Sequence, residues 1–428
     1  MPLSSHGPTQ LSPARIRLAL FALALGGFAI GATEFVAMGL LPNLAQDLLP
    51  GLYRAQPDAA NAQAGWLISA YALGVVVGAP TIAAAATRWP RKQLLLALLI
   101  AFTLGTVASA LLPSFELVLA ARFVAALPHG AYFGIASLVA AELMGPGKRG
   151  RGVAIVLSGL TIANVIGVPA ITLLGQTSGW RVAYLVVAGI FALTFLAVAL
   201  VVPHQAGNPH GSIRTELRAF GRLQVWIALL IGAIGFGGLF AVYTYVAPLV
   251  MEVTGLAAWA VPIVLVVIGL GMTIGNLVGG VLADRSVRRT MYGAFGVMLV
   301  ALTALALSAQ FVVGLLVGVF LIGAAAAAMG PTIQTRLMDV AHESQSIAAA
   351  LNHSALNLGN ALGAYLGGIA IAAGLGYVAP VWIGLGLSGI GILLAVATFA
   401  IDRSRRRLGV HVPYGTAAIT VVAADQGR

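Results

Sequence analysis

His204-Gln205-Ala206-Gly207-Asn208-Pro209-His210-Gly211, with Arg214, Arg218 and Arg222 behind it, interrupts a chain that is otherwise a succession of apolar runs. Glycine, proline, asparagine and histidine together make a loop composition. Arginines at intervals of four then suit a short helix lying on a membrane surface. A helix needs about 20 apolar residues to cross the hydrocarbon core of a bilayer. On that measure the sequence predicts spans at 18–41, 65–87, 93–112, 115–142, 150–175 and 180–203 before the break. After it they fall at 223–250, 259–283, 290–309, 311–337, 345–373 and 378–401.

The composition agrees with a chain that faces lipid. Of 428 residues, 60% are apolar and 8% charged, and the mean hydropathy is +0.99, too little charge to cover a soluble surface. A net charge of +11 would suggest nucleic acid in a soluble protein, but here the basic residues sit in loops between apolar spans. The absence of cysteine excludes disulfides, thiolate metal sites and cysteine nucleophiles. Residues 1–17 are short and polar, and the apolar run after them continues to Leu41. That run is too long for a secretory signal and reads as the first span.

Twelve spans put both termini on one side. With that side cytoplasmic, 20 of the 23 lysines and arginines are cytoplasmic, Arg54 and Arg181 are external, and Arg122 lies within a span. The positive-inside rule gives the same orientation. The expected organisation is a cytoplasmic N-terminus 1–17, a six-helix half 18–203, a cytoplasmic linker 204–222, a second half 223–401 and a cytoplasmic tail 402–428.

The halves echo each other. Arg88-x-x-Arg91-Lys92 after span two matches Arg285-x-x-Arg288-Arg289 after span eight, 197 residues on. Asn164-x-x-Gly167 in span five matches Asn360-x-x-Gly363 in span eleven, 196 residues on. Pro42 and Pro248, read as ending spans one and seven, are 206 apart, so the first external loop is roughly nine residues longer than its counterpart.

Gly31-Ala32-Thr33-Glu34-Phe35-Val36-Ala37-Met38-Gly39-Leu40-Leu41-Pro42 resembles the first-span signature of arabinose-type efflux permeases. That group lies in the drug:proton antiporter branch of the major facilitator superfamily, with relatives of chloramphenicol exporters. Pro128-His129-Gly130-Ala131-Tyr132-Phe133-Gly134, Tyr243-Thr244-Tyr245-Val246-Ala247-Pro248 and Asn357-Leu358-Gly359-Asn360-Ala361-Leu362-Gly363 are similar to the same group. The resemblance runs from about residue 18 to 401 and implies an all-α membrane protein, twelve transmembrane helices in two parallel-repeat halves.

Ionisable residues inside spans are costly and therefore functional candidates. Glu34 lies eight residues before Pro42, roughly 12 Å below the external end at 1.5 Å per residue. Arg122 lies eight residues after Ser114, at a similar depth. Arg122 resembles the arginine that the family associates with proton coupling. Glu34 is expected to take up and release the coupled proton beside it; a fixed pair holding the helices in register is the plainer use of the same two residues.

His129 and His353 are the only histidines within spans, and His353, Asn357 and Asn360 share one face of span eleven. A histidine can shuttle protons near neutral pH. With Asn164, Tyr243 and Tyr245 these residues are candidates for coupling or for lining a substrate cavity, and packing is the alternative for the two tyrosines. Gly280, Asp284, Arg285, Arg288 and Arg289 resemble the family's cytoplasmic gating motif. The first-half copy has Thr87 at the acid position and Pro90 at the usual glycine, so any latch is expected to depend on Asp284. Gly159, Gly167 and Pro169 resemble the antiporter motif and predict a kink, while Gly359 and Gly363 predict close packing.

Two soluble-enzyme signals fail. Gly384-x-Gly386-x-x-Gly389 lies inside span twelve with no strand before it, and Gly145-Pro146-Gly147-Lys148 is followed by Arg149 instead of Ser or Thr. No catalytic set, cofactor, nucleotide site or metal centre is expected. The expected partners are protons, a small organic substrate and the lipid of a bacterial-type inner membrane, with the chain monomeric. The leading expectation is a proton-coupled exporter of small amphipathic compounds or drugs. A sugar-related efflux permease or facilitator is the second transporter reading, and a receptor or embedded enzyme is the alternative of another class.

Overall fold

The computed structural model describes residues 12–85, 89–145, 148–205, 221–341 and 345–407. The terminal segments, Thr87 and Arg88, and most of the linker, with Arg214 and Arg218, lie outside the described residues. Every regular element among the described residues is helical. Eleven helices there are long and apolar enough to cross a membrane. One of them, Ala260–Ser308, has 49 residues, about 74 Å of helix at 1.5 Å per residue, more than twice the hydrocarbon thickness. Ser286 breaks it with non-helical angles (φ −167°, ψ 101°), so it forms the eighth and ninth spans and brings the total to twelve. Large apolar side chains such as Leu104, Leu200 and Val313 stand exposed on the outside, as a lipid-facing surface requires.

Local chemistry sets the breaks. The first span, Pro13–Gly39, opens with Ser12 accepting from the Arg15 backbone N–H and Pro13 in the first turn. It ends sooner than expected, because Leu40 leaves the helix (φ −109°, ψ 14°) and Pro42 opens the next helix, Leu41–Leu48, instead of closing the span. The seventh span, Leu223–Thr244, ends in the same way at Tyr245 (φ −108°, ψ 22°), 205 residues later. Span four divides at Leu127 and Pro128 into Phe115–Ala126 and His129–Met144. Span five runs as Arg149–Ile162, a π-helical turn Ala163–Gly167, and Val168–Ser178. Pro169 has no N–H for the carbonyl of Val165, and its ring would crowd that carbonyl. The helix widens there instead, and the Val168 N–H bonds to the Ala163 carbonyl.

Rows of glycine form packing surfaces. A Cβ on Gly271, Gly275 or Gly279 of span eight would enter the backbone of Phe320, Ala324 or Ala328 in span ten, Val312–Ala341. Gly359 and Gly363 of span eleven, Gln345–Ala372, meet the backbone of span seven, and Gly159 meets Ala24 of span one. Such close approach replaces the hydrophobic drive that lipid does not supply.

The six helices before the linker meet the six after it along two seams. In one, Ser69 of span two (Trp66–Ala85) donates to the Ala361 carbonyl of span eleven, 3.3 Å. In the other, Gly269 of span eight lies against the backbone of Asn164, and Gln176 donates to the Ala258 carbonyl, 3.1 Å. Between them, residues 29–39 of span one and 235–244 of span seven are buried on every side. Phe35 stacks on Phe240 (6.2 Å) and on Tyr243 (5.5 Å) across the boundary. The side-chain hydrogen bonds that Asn61, Ser69, Gln176, Asn360 and Tyr377 make between the two sets lie from the level of Glu34 to the face opposite the termini, hereafter the distal face.

Candidate functional site

Span one carries Glu34 five residues before its last helical residue, where the helix is buried all round. The carboxylate is 2% exposed. Asn360 of span eleven donates to its Oε1 at 3.5 Å. On the other side, His129 Nε2 stands 3.9 Å from Oε2. One buried acid thus touches both helical sets.

Arg122 does not close an ion pair on Glu34. Its Nη1 donates to the Thr33 carbonyl (3.0 Å) and to the Thr33 hydroxyl (3.3 Å), one residue before the acid. The guanidinium lies over the ring of Tyr71 at 4.3 Å and faces that of Tyr184 at 5.4 Å. Its Nε and Nη2 are buried without a hydrogen-bond partner. Stacking on two aromatic faces holds the cation in place of a carboxylate. Arg122 thus lies at the level of Glu34, but its contacts are to Thr33 and two aromatic rings.

Tyr71 joins the two charges. Its hydroxyl lies 3.3 Å from His129 Nδ1. With that hydroxyl donating, the imidazole proton sits on Nε2, the atom that faces Glu34. A line of polar groups then runs from Tyr71 through His129 and Glu34 to Asn360. Arg122 and His129 lie on either side of the Leu127–Pro128 break in span four and meet Thr33 and Glu34 respectively. His353 stacks on Phe133 (5.1 Å, 6°) with its ring 5.9 Å from that of His129, and Asn357 donates back to the His353 carbonyl.

The remaining candidates divide. Tyr243 lies beside this cluster with a buried hydroxyl that has no partner. The amide oxygens of Asn164, Asn357 and Asn360 are also buried and unpartnered, a supply of acceptors that a polar ligand or water can satisfy. Tyr245 is a packing residue: its hydroxyl donates to the Ala364 carbonyl at 2.6 Å. Asn164 and Gly167 sit in the π-helical turn, with Pro169 just behind it. Asp284, Arg285, Arg288 and Arg289 are exposed around the Ser286 bend, and Gly280 lies one turn before it. Tyr71, Thr33 and Tyr184 were not singled out in the sequence, because a lone hydroxyl in an apolar span does not show which group it will meet.

The site is thus a buried polar seam between two sets of membrane-spanning helices. The sequence profile of the Major Facilitator Superfamily matches residues 23–352 and 260–420. The chain belongs to that superfamily. It is 40% identical over 380 residues to "Inner membrane transport protein YdhP" of Escherichia coli (strain K12), covering 89% of this chain and 95% of that one. It is 34% identical over 417 residues to "Chloramphenicol resistance protein" of Streptomyces lividans, covering 96% and 100%. Among solved structures it is similar to a D-xylose-proton symporter, with TM-score 0.71, 18% identity and coverage of 89% and 96%.

Proposed function

We propose that this transporter exports small amphipathic organic compounds in exchange for protons, with its termini in the cytoplasm. The observation that carries the coupling is the position of Glu34. It is a buried carboxylate at the boundary of the two helical sets, bonded to one of them by Asn360 and faced from the other by His129. Protonating such a group changes what it can donate and accept on both sides at once. Relative movement of the two sets then alters which face of the membrane it meets. Arg122, held beside it on Thr33 and Tyr71, keeps a positive charge in place whether or not Glu34 is charged.

Export of amphipathic compounds is supported by the name of the Streptomyces lividans relative and by the few polar groups set among aromatic rings at the seam. The orientation is supported by the distribution of lysine and arginine. The test is reconstitution into liposomes with an imposed pH gradient and a panel of compounds that includes chloramphenicol. A gradient-dependent flux is expected for the wild-type protein. Glu34→Gln should reduce that flux at least tenfold while keeping substrate binding. A variant that still accumulates substrate in response to the gradient would remove Glu34 from the coupling.

A further inference from the structure

A cleft of ≈ 270 Å³ opens on the distal face, lined from both sets of helices: Asp58 and Asn61 with Tyr53 on one side, Glu252 with Pro248 and Tyr377 on the other. Tyr377 ties its two walls together. The hydroxyl donates to Asp58 Oδ1 at 2.7 Å and accepts from Asn61 Nδ2 at 2.8 Å. That arrangement fixes the Asn61 amide, because a phenol that spends its one proton on Asp58 can only accept from Asn61. The Asn61 Oδ1 is left as an acceptor. Asn61 is 5% exposed, and this oxygen has no hydrogen-bond partner.

The charge of the cleft is also uncompensated. Asp47, another acid on this face, is paired with Arg181 at 3.1 Å and accepts from the Trp180 N–H at 2.9 Å. Among the described residues neither Asp58 nor Glu252 forms an ion pair. Burial raises the pKa of Tyr377 above the ordinary phenol value, and the charges of Asp58 and Glu252 act in the same direction, so its hydroxyl stays a donor. The remaining oxygens can only accept. Two tyrosine rings, prolines and Met251 supply apolar and π surface beside them.

We infer that this cleft is a second binding site, separate from the seam at Glu34, for the protonated amine of a small amphipathic compound. The ammonium donates to Asn61 Oδ1, Asp58 and Glu252, and its apolar part lies against the prolines and tyrosines. The volume suits a small arylalkyl amine or the cationic end of a larger compound. Because both sets of helices supply the walls, the site is whole only while the distal face is closed. An occupant therefore favours that state.

Benzylamine titrated calorimetrically into the purified full chain, without a pH gradient, tests the site apart from proton coupling. Saturable binding is expected, at least tenfold tighter than that of benzyl alcohol, the uncharged analogue. Asp58→Asn with Glu252→Gln should weaken it at least tenfold with the thermal midpoint unchanged, and Asp47→Asn, at the acid of this face outside the cleft, should leave it intact. The chain has no cysteine, so spin labels on Ala55→Cys and Leu375→Cys report the distal face directly, and benzylamine should narrow their distance distribution toward the short end. Equal binding of benzyl alcohol, undiminished affinity in the double variant, an equal loss in Asp47→Asn, or a shift to longer distances would each overturn the inference.

Discussion

Spans five and eleven contain the same Asn-x-x-Gly, 196 residues apart, and use it in opposite ways. In span five the motif lies inside a π-helical turn, and Asn164 donates to the Leu160 carbonyl of its own helix. In span eleven the helix runs unbroken from Gln345 to Ala372, and Asn360 reaches out of it to Glu34. The difference begins five residues after each asparagine. Pro169 forces the widening in span five, whereas Tyr365 at the corresponding place in span eleven keeps its N–H and leaves the ladder whole. The glycines differ as well. Gly167 faces the ring of Phe28, which can turn, while Gly363 faces the backbone of Phe240 and Ala241, which cannot. Likeness of sequence set both motifs on a seam; their neighbours decided what each one does there.

Adding a methyl group to the two glycines is the strongest way to break this comparison. Gly363→Ala should destabilise the protein by about 2 kcal/mol, the usual cost of overpacking against a rigid neighbour, and Gly167→Ala by less than about 1 kcal/mol because an aromatic ring can give way. Thermal unfolding in detergent reads both, and equal losses would mean that span seven yields as easily as Phe28. The asparagines come next. Asn360→Ala removes the bond to Glu34 between the two sets and should cost about 1 kcal/mol, whereas Asn164→Ala, losing only a bond within its helix, should be nearly neutral. Pro169→Ala sharpens the contrast with the smallest change in stability. The helix regains a hydrogen bond, and the folded state should stay within about 1 kcal/mol of wild type. Hydrogen exchange at residues 163–169 should then slow toward the protection of span eleven; unchanged exchange would show that Pro169 is not what holds the π turn open.

Much of the fold was legible without coordinates. Twelve apolar runs of spanning length, a polar break in their middle and two motifs repeated at nearly one offset specify the helices and their relation. The exceptions are informative. Pro42 was read as the end of span one, but the helix stops at Gly39 and Pro42 begins the next, since proline is better placed in a first turn than in a last one. Spans eight and nine follow one another with only the Ser286 bend between them, where a loop was expected. In the site, Glu34, Arg122, His129 and Asn360 were all chosen from the sequence, because ionisable and amide groups in lipid-spanning helices are too costly to be idle. Their pairing was not legible: Arg122 bonds to Thr33, and the side chain that faces Glu34 from the first half is His129.

The second half illustrates the same boundary between what can and cannot be read. Counted six residues back from the matching breaks at Leu40 and Tyr245, Glu34 corresponds to Leu239. That none of the apolar runs read as spans in the second half contains an acid is a fact of the sequence alone. That Asn360 of this half bonds to the first half's acid depends on how spans one and eleven cross. The sequence by itself determined the number of spans, their duplication and the short set of polar residues, since hydropathy, helix length and the cost of burying charge act residue by residue. The tertiary structure alone decided the partners of each polar group and the distal cleft of Asp58, Asn61, Glu252 and Tyr377. Hydrogen bonds and stacking depend on ångström distances between helices that are hundreds of residues apart in the chain, and no local pattern encodes those distances.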